Sequence, residues 1–194
     1  IEFSFNGLEE ISDYAAVALS RGTKQLELNG LKSLTPAAAK ALSIRESPIS
    51  LDGLTELTDE VAAELASHKH GLSLRGLTKF PDTPGHLALM RKLIKNEELE
   101  LYRLTHLFDS VASILGQRVG ELSLSAGCLS ENAAESLSHH VGELSLDIVY
   151  LSPDAAAALA KHKGSLSLTD LKNLSDEAII ALAGHSGDLR LSLQ

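Results

Sequence analysis

Repetition with a period of about 23 residues constrains the fold of this chain more than any other feature of its sequence. A triplet of apolar, variable and apolar residues recurs along the 194 residues, at spacings of 23, 23, 23, 27, 23, 22, 22 and 23. The triplets begin at Phe3, Leu26, Ile49, Leu72, Leu99, Leu122, Leu144, Leu166 and Leu189. Internal periodicity of this length indicates a repeat architecture. We therefore predict a single array over residues 1–194, with about eight repeats of 22–27 residues and a ninth strand.

Each repeat divides into a strand half and a helix half. The triplet, as in Ile49-Ser50-Leu51, alternates apolar and polar residues in the way that a strand with one buried face does. A turn follows, and then a Ser or Thr whose side-chain oxygen can accept a hydrogen bond from the first turn of a helix. These predicted helix starts are Thr35, Thr58, Ser130, Ser152 and Ser175. The helix bodies are rich in Ala, which lets neighbouring helices approach closely.

Composition narrows the classes of partner and of fold. The chain has 26 Asp and Glu against 17 Lys and Arg, a net charge of −9, and no basic run, so we expect no nucleic-acid partner. The single cysteine, Cys128, excludes an internal disulfide and a cysteine zinc site. No apolar run approaches the roughly 18 to 20 residues of a membrane span, so we expect no membrane insertion. We also expect no cofactor, and a soluble chain that is cytoplasmic or a processed segment of an exported protein.

The consensus L-x-L-x-G-L-x-x-L-[ST]-x-E-A-A-x-x-L-A-x-H-x-G resembles a leucine-rich repeat over essentially the whole chain. It is most similar to the cysteine-containing and ribonuclease-inhibitor-like subclasses, and also to Ala-rich repeats of large bacterial proteins. The resemblance implies an α/β solenoid that is curved, with a parallel β-sheet on the concave side and one short helix per repeat on the convex side. It implies protein recognition and does not imply catalysis.

The repeats depart from those subclasses at one position after the strand. Where the subclasses place Asn or Cys, this chain has Leu31, Leu54, Leu77, Leu104 and Leu171, with Gly127 and Val149 in the two shorter repeats. A leucine cannot hydrogen-bond the backbone groups of the turn. We therefore expect leucine packing to replace the side-chain ladder at this position.

Two rows of residues would face outward from the predicted sheet. The central row is Ser4, Glu27, Ser50, Ser73, Glu100, Ser123, Ser145, Ser167 and Arg190. The second row is Asn6, Asn29, Asp52, Arg75, Tyr102, Ser125, Asp147, Thr169 and Ser192. Arg75 and Tyr102 would lie on neighbouring strands, with Glu100 beside them, and Arg and Tyr are enriched in binding hot spots. We predict that these three residues bind a protein partner; the alternative is that Arg75 pairs with neighbouring acids on an inert face.

The fourth repeat is irregular, because it exceeds its neighbours by about four residues. Its Phe80–Gly85 stretch is a turn-rich insertion, and insertions into a rigid repeat commonly carry binding groups. The following helix has the densest basic cluster, with Arg91, Lys92 and Lys95. We predict that Phe80 and Arg91 contribute to partner binding; the alternative is a tolerated insertion beside a solvated helix.

Histidines recur at one position near the helix end, and repeat stacking would align three of them, His140, His162 and His185, at roughly 5 Å intervals. Such a column has the ligand type of a metal site. Arg45, Asn96 and Arg118 fill the same position elsewhere, however, and all of these residues can bond the carbonyls at a helix C-terminus. We favour that capping role over metal binding.

The sequence contains no GxSxG, GxGxxG or P-loop motif, so we predict that the protein is not an enzyme. The favoured function is a non-catalytic scaffold that binds protein through the concave face and the irregular fourth repeat. The alternative, suggested by the serine-rich central row, is a structural spacer in a larger bacterial protein, without a discrete ligand. Because the array starts and stops on a strand without a capping element, we also expect flanking repeats or end-to-end self-association.

Overall fold

Strand and helix alternate throughout the computed structural model, which describes residues 3–96 and 99–193 except for the side chain of Glu100. The strands of the described part are β1 (Phe3–Ser4), β2 (Leu26–Glu27), β3 (Ile49–Ser50), β4 (Leu72–Ser73), β5 (Glu100–Leu101), β6 (Leu122–Ser125), β7 (Leu144–Asp147), β8 (Leu166–Leu171) and β9 (Leu189–Leu193). The helices are α1 (Asp13–Ser20), α2 (Pro36–Ser43), α3 (Asp59–Ala66), α4 (Pro84–Leu93), α5 (Asp109–Leu115), α6 (Glu131–Ser138), α7 (Pro153–Leu159) and α8 (Asp176–Leu182).

The chain forms two compact units, Ile1–Glu98 and Leu99–Gln194. In the first unit, β1 to β4 form a four-stranded parallel sheet in sequential order, and in the second, β5 to β9 form a five-stranded one. Paired residues are one repeat apart, so Leu26 aligns with Ile49, and Leu144 aligns with Leu166. The predicted α/β repeat with parallel strands is confirmed within each unit. That both units belong to one array stays a prediction.

The apolar residues of each triplet form the core. Leu26 and Leu28 are fully buried, whereas Glu27 between them is half-buried. One leucine after each of these strands stands where the similar leucine-rich repeat subclasses place Asn or Cys. These leucines are also buried, at 0–2% exposure: Leu31, Leu54, Leu77, Leu104 and Leu171. The prediction that leucine packs at this position is therefore confirmed.

Ser and Thr caps start most of the helices. The predicted cap residues each accept a hydrogen bond from the backbone N–H three positions later, as does one that the prediction omitted, Ser12. In α2 the cap has a second role, because the Thr35 hydroxyl donates to the carboxylate of Asp13 at the start of α1. Ser130 donates in the same way to Asp109, and this bond lowers the pKa of the Asp109 carboxyl group. These caps thus connect consecutive helices as well as starting them.

Close backbone approach between repeats requires glycine in the turn that leads into a strand. Gly142 has a φ of +140°, and a Cβ at this position would lie 1.9 Å from the carbonyl oxygen of Gly120. Backbone atoms cannot move aside as the end of a flexible side chain can. The glycine is therefore needed both for its conformation and for the absence of a side chain.

We predict that Gly142→Ala lowers the free energy of unfolding by about 2 to 4 kcal/mol, because it adds backbone strain and a steric clash. Gly71→Ala is the matched control, since its Cβ would lie 3.5 Å from the nearest atom, an ordinary contact. The control is expected to change stability by less than about 1 kcal/mol. Urea unfolding followed by circular dichroism measures both variants, and equal stabilities would contradict the prediction.

Candidate partner-binding surface

The central row of the first unit offers little side-chain surface to a partner. Glu27, Ser50 and Ser73 are each half-buried between fully or nearly fully buried apolar residues. A serine in this setting exposes a hydroxyl group and little apolar area. Any strong contact on this unit therefore has to come from longer side chains beside the row.

Three second-row side chains instead form a hydrogen-bonded ladder, which we call the Asx ladder: Asn6, Asn29 and Asp52. The backbone N–H of Asn29 donates to Asn6 Oδ1 at 2.9 Å, and that of Asp52 donates to Asn29 Oδ1 at 3.0 Å. The Ser50 and Ser73 hydroxyls donate to Asn29 Oδ1 at 2.7 Å and to Asp52 Oδ1 at 2.6 Å. These residues hold the ends of neighbouring strands together. The signal that could have revealed the ladder is the return of Asn or Asp every 23 residues.

Arg75 lies at the end of the Asx ladder, in the turn after β4. Its backbone N–H donates to Asp52 Oδ1 at 3.0 Å, and the residue is exposed. The ladder thereby fixes the backbone from which the guanidinium group extends. A long cationic side chain on a fixed backbone loses less conformational entropy on binding than one in a mobile loop.

Tyr102 and Glu100 belong to the second unit. Tyr102 is in the turn after β5 and is 53% exposed. Glu100 is in β5, where its backbone pairs with Ser123, and its side chain lies outside the described part of the chain. Arg75 belongs to the first unit, whereas Tyr102 and Glu100 belong to the second. That Arg75 lies close to these two residues stays a prediction.

Further exposed aromatic residues lie in the strand-to-helix connections of the second unit. Phe108 is 37% exposed and Tyr150 is 58% exposed. The ring of Phe108 packs edge-on against His106, with 4.5 Å between ring centroids. Sequence reasoning did not select these residues. The available signal was the rarity of aromatic residues, which make up 4% of the chain.

Asp147, in the second row of the second unit, interacts with a neighbouring carboxyl group, that of Asp170. Burial raises the pKa of Asp147, and the hydrogen bond and negative charge of Asp170 raise it further. Asp170 has a φ of +62° within an irregular stretch of β8, a conformation that Asp tolerates better than most residues. The Asp147 carboxyl group is therefore protonated more readily than an isolated carboxyl group.

The irregular fourth repeat does not place Phe80 on the surface. Phe80 is 1% exposed, and its ring packs edge-on against His86, which is 2% exposed, with 5.5 Å between ring centroids. This corrects the expected partner-binding role of Phe80, because its side chain lies in the core. Arg91 is exposed, as expected, but it lies in the last turn of α4 and not in the insertion.

The insertion is anchored to the preceding repeat. Thr83 precedes α4 without capping it, and Asp59 of α3 takes over this role by accepting the N–H groups of Gly85 at 2.7 Å and His86 at 3.2 Å. The Thr83 hydroxyl also donates to Asp59. These hydrogen bonds, led by that of Thr83, lower the pKa of Asp59. The insertion is thus a fixed part of the fold.

His140, His162 and His185 form the expected column, with ring centroids 6.1 and 6.2 Å apart. Their Nε2 atoms lie 2.8 to 3.1 Å from the carbonyl oxygens of Gly120, Gly142 and Gly164, so each Nε2–H donates to the preceding repeat. These glycine acceptors lie beyond the helix ends, but His185 Nδ1 also lies 3.3 Å from the carbonyl oxygen of Ala160 at the C-terminus of α7, as the capping prediction expects. Within residues 3–96 and 99–193, no group of three or more His, Cys, Asp or Glu side chains is placed to hold a metal ion.

Comparison with protein-family models and with curated proteins finds no match for this chain. None of the helices in the described part has the length and apolar character that crossing a membrane requires. The surfaces described above are therefore the basis for any inference about function.

We predict that Asn29→Ala lowers the free energy of unfolding by about 1 to 2 kcal/mol, because it leaves the Asp52 N–H without its acceptor. Asn173→Ala, at an exposed position outside the Asx ladder, is the matched control and should change stability by less than about 0.5 kcal/mol. Urea unfolding measures both. Equal effects would show that the ladder does not stabilise the sheet.

We predict that Asp147→Asn stabilises the protein at pH 7 by about 0.5 kcal/mol, in the range of exposed charge pairs. The pKa of Asp147 is raised by folding, so its contribution favours folding at low pH and is lost as the pH rises through the folded pKa. The advantage of the variant should therefore shrink as the pH falls to about 3. An advantage that is independent of pH in urea unfolding would contradict this account.

Proposed function

We propose that the protein is a non-catalytic scaffold of the leucine-rich repeat type that binds a protein partner. In this proposal each unit presents its strands, and the connections that follow them, to the partner. The observation that carries it is the exposure of Tyr102, Phe108 and Tyr150 on a unit whose backbone is held by parallel strand pairing. Surface aromatic residues on a fixed backbone are suited to act as anchors in an interface.

The size of the strand surface supports the inclusion of these connections. The five strands of the second unit, at about 4.8 Å spacing and with an exposed width of about 10 Å, provide on the order of 200 Å². A standard protein interface buries about 800 Å² on each partner. The connections that contain Phe108 and Tyr150 would supply part of the remaining area. On the first unit, Arg75 would supply a cation to the partner.

A specific observation favours the alternative of a structural spacer. The Asx ladder and the serine hydroxyl groups of the first unit use one another as hydrogen-bond partners. A partner that bound these groups would have to replace hydrogen bonds that already exist. In the spacer alternative, the ladder serves only to hold consecutive strands together.

The double variant Arg75→Glu, Tyr102→Ala distinguishes the two functions. The matched control is Arg21→Glu, Tyr14→Ala, which makes the same chemical changes at exposed residues of the α1 region. Each protein is immobilised and used to capture partners from lysate and envelope fractions of the source cell. Affinity for a captured protein should fall at least about tenfold with the test variant, as expected for hot-spot residues, and stay unchanged with the control.

Two results would contradict the scaffold proposal. Equal retention of a partner by both variants would remove Arg75 and Tyr102 from the interface. Retention of no specific protein by the unmodified chain would favour the spacer. Circular dichroism of both variants shows whether they remain folded.

A further inference from the structure

The two inner rings of the histidine column, His140 and His162, are closed off from water. His140 is 3% exposed and His162 is fully buried. Their rings stack nearly parallel, with an interplanar angle of 15°, and the ring of His185 continues the stack at an angle of 6°. A charge on one of these rings would therefore be poorly hydrated and would lie 6.1 to 6.2 Å from the centre of the next ring.

The column joins consecutive repeats of the second unit. The Nε2–H of His140, which follows α6, donates to the carbonyl oxygen of Gly120 at 2.8 Å. The Nε2–H of His162, which follows α7, donates to that of Gly142 at 3.1 Å. A neutral imidazole has one N–H group, and each of these bonds uses it. The column thus makes its bonds between repeats without carrying a charge.

Burial has the largest effect on the protonation of His140, and it lowers the pKa of the ring. A positive charge on His162 lowers this pKa further. The backbone groups of Gly120, Arg118 and Glu143 act in the opposite direction, but the pKa stays below its ordinary value. In the folded second unit, His140 therefore takes up a proton less readily than it does in an unfolded chain.

The charged side chains beside His140 do not compensate for its burial. A groove next to the ring is lined by Glu135 and His139 of the same repeat and by Lys161 and Lys163 of the following one. The carboxylate of Glu135 is paired with the ammonium group of Lys161, at 2.6 Å. Among the described residues that line the groove there are thus two ammonium groups and one carboxylate, a balance that disfavours a protonated ring.

Three further charged residues belong to the connections around His140. Arg118 and Glu121 flank Gly120 in the preceding connection, and Glu143 lies just before β7. The Nε of Arg118 donates to the backbone carbonyl oxygen of Glu121 at 3.3 Å. Glu121 and Glu143 are exposed, so water and salt screen the charges of their carboxylates. These groups therefore do not reverse the effect of burial on His140.

We propose that the histidine column is an acid-sensitive latch that holds the repeats of the second unit together. The latch is closed while its rings are neutral. As the pH falls below about 6.5, where a free histidine takes up a proton, protons bind to an opened column more readily than to the closed one. The opened state then binds more protons than the folded state, so the free energy of unfolding decreases as the pH decreases.

Urea unfolding of the full chain at about pH 7.5 and about pH 5.5 tests the proposal. The test variant is His140→Asn, because Asn96 occupies the same position of the fourth repeat and donates to the carbonyl oxygen of Leu72 at 2.9 Å. The matched control is His139→Asn, at the exposed neighbouring residue. Between the two pH values, the urea midpoint of the unmodified chain and of the control should fall by at least about 0.5 M, and that of the test variant by about 0.3 M less.

Equal falls in all three proteins would overturn the proposal, because the response to pH would then come from groups other than His140. A fall that is reduced equally in the control would also overturn it, because the loss of any histidine would then have the same effect. If the test variant does not fold, an NMR titration of the imidazole resonances of the unmodified chain decides. His140 should take up its proton at a lower pH than a free histidine does, and uptake at or above that pH with the second unit still folded would overturn the proposal.

Discussion

The stacking of one repeat on the next is the constraint on which the rest of this structure depends. The helices contain seven to ten residues, and a helix of that length is marginal in water on its own. The strands of the first unit contain only two residues each. Neither element can bury its apolar face within one repeat, so stability comes from the parallel pairing of consecutive strands and the packing of consecutive helices. The fully buried leucines and alanines are the result.

Polar side chains reinforce this stacking at three positions in the repeat: the helix start, the strand end and the helix end. At the helix start, the hydroxyl groups of Thr35 and Ser130 donate to aspartates of the preceding helix. At the strand end, the Asx ladder bonds the backbone of the following strand. Near the helix end, the histidine column of the second unit donates to glycine carbonyl oxygens one repeat earlier. Each of these interactions joins a polar group of one repeat to the neighbouring repeat.

This division of roles bears on the proposed function. Residues that hold repeats together are committed to the fold, and a partner can use only those that the fold leaves exposed. The exposed aromatic side chains of the second unit are the features to which we assign a protein partner.

The sequence by itself determined the repeat period, the alternation of strand and helix, the helix starts and the buried leucines. These features depend on local patterns, because a two-residue periodicity and a capping hydroxyl act within a few residues of chain. Only the tertiary structure decided which polar residues are committed to the fold. The burial of Phe80 beside His86 and the Asx ladder depend on contacts that packing creates between neighbouring segments and consecutive repeats. A residue at an outward position looks the same in sequence whether it is free for a partner or bonded to the next repeat, because that choice is made by its neighbours in space.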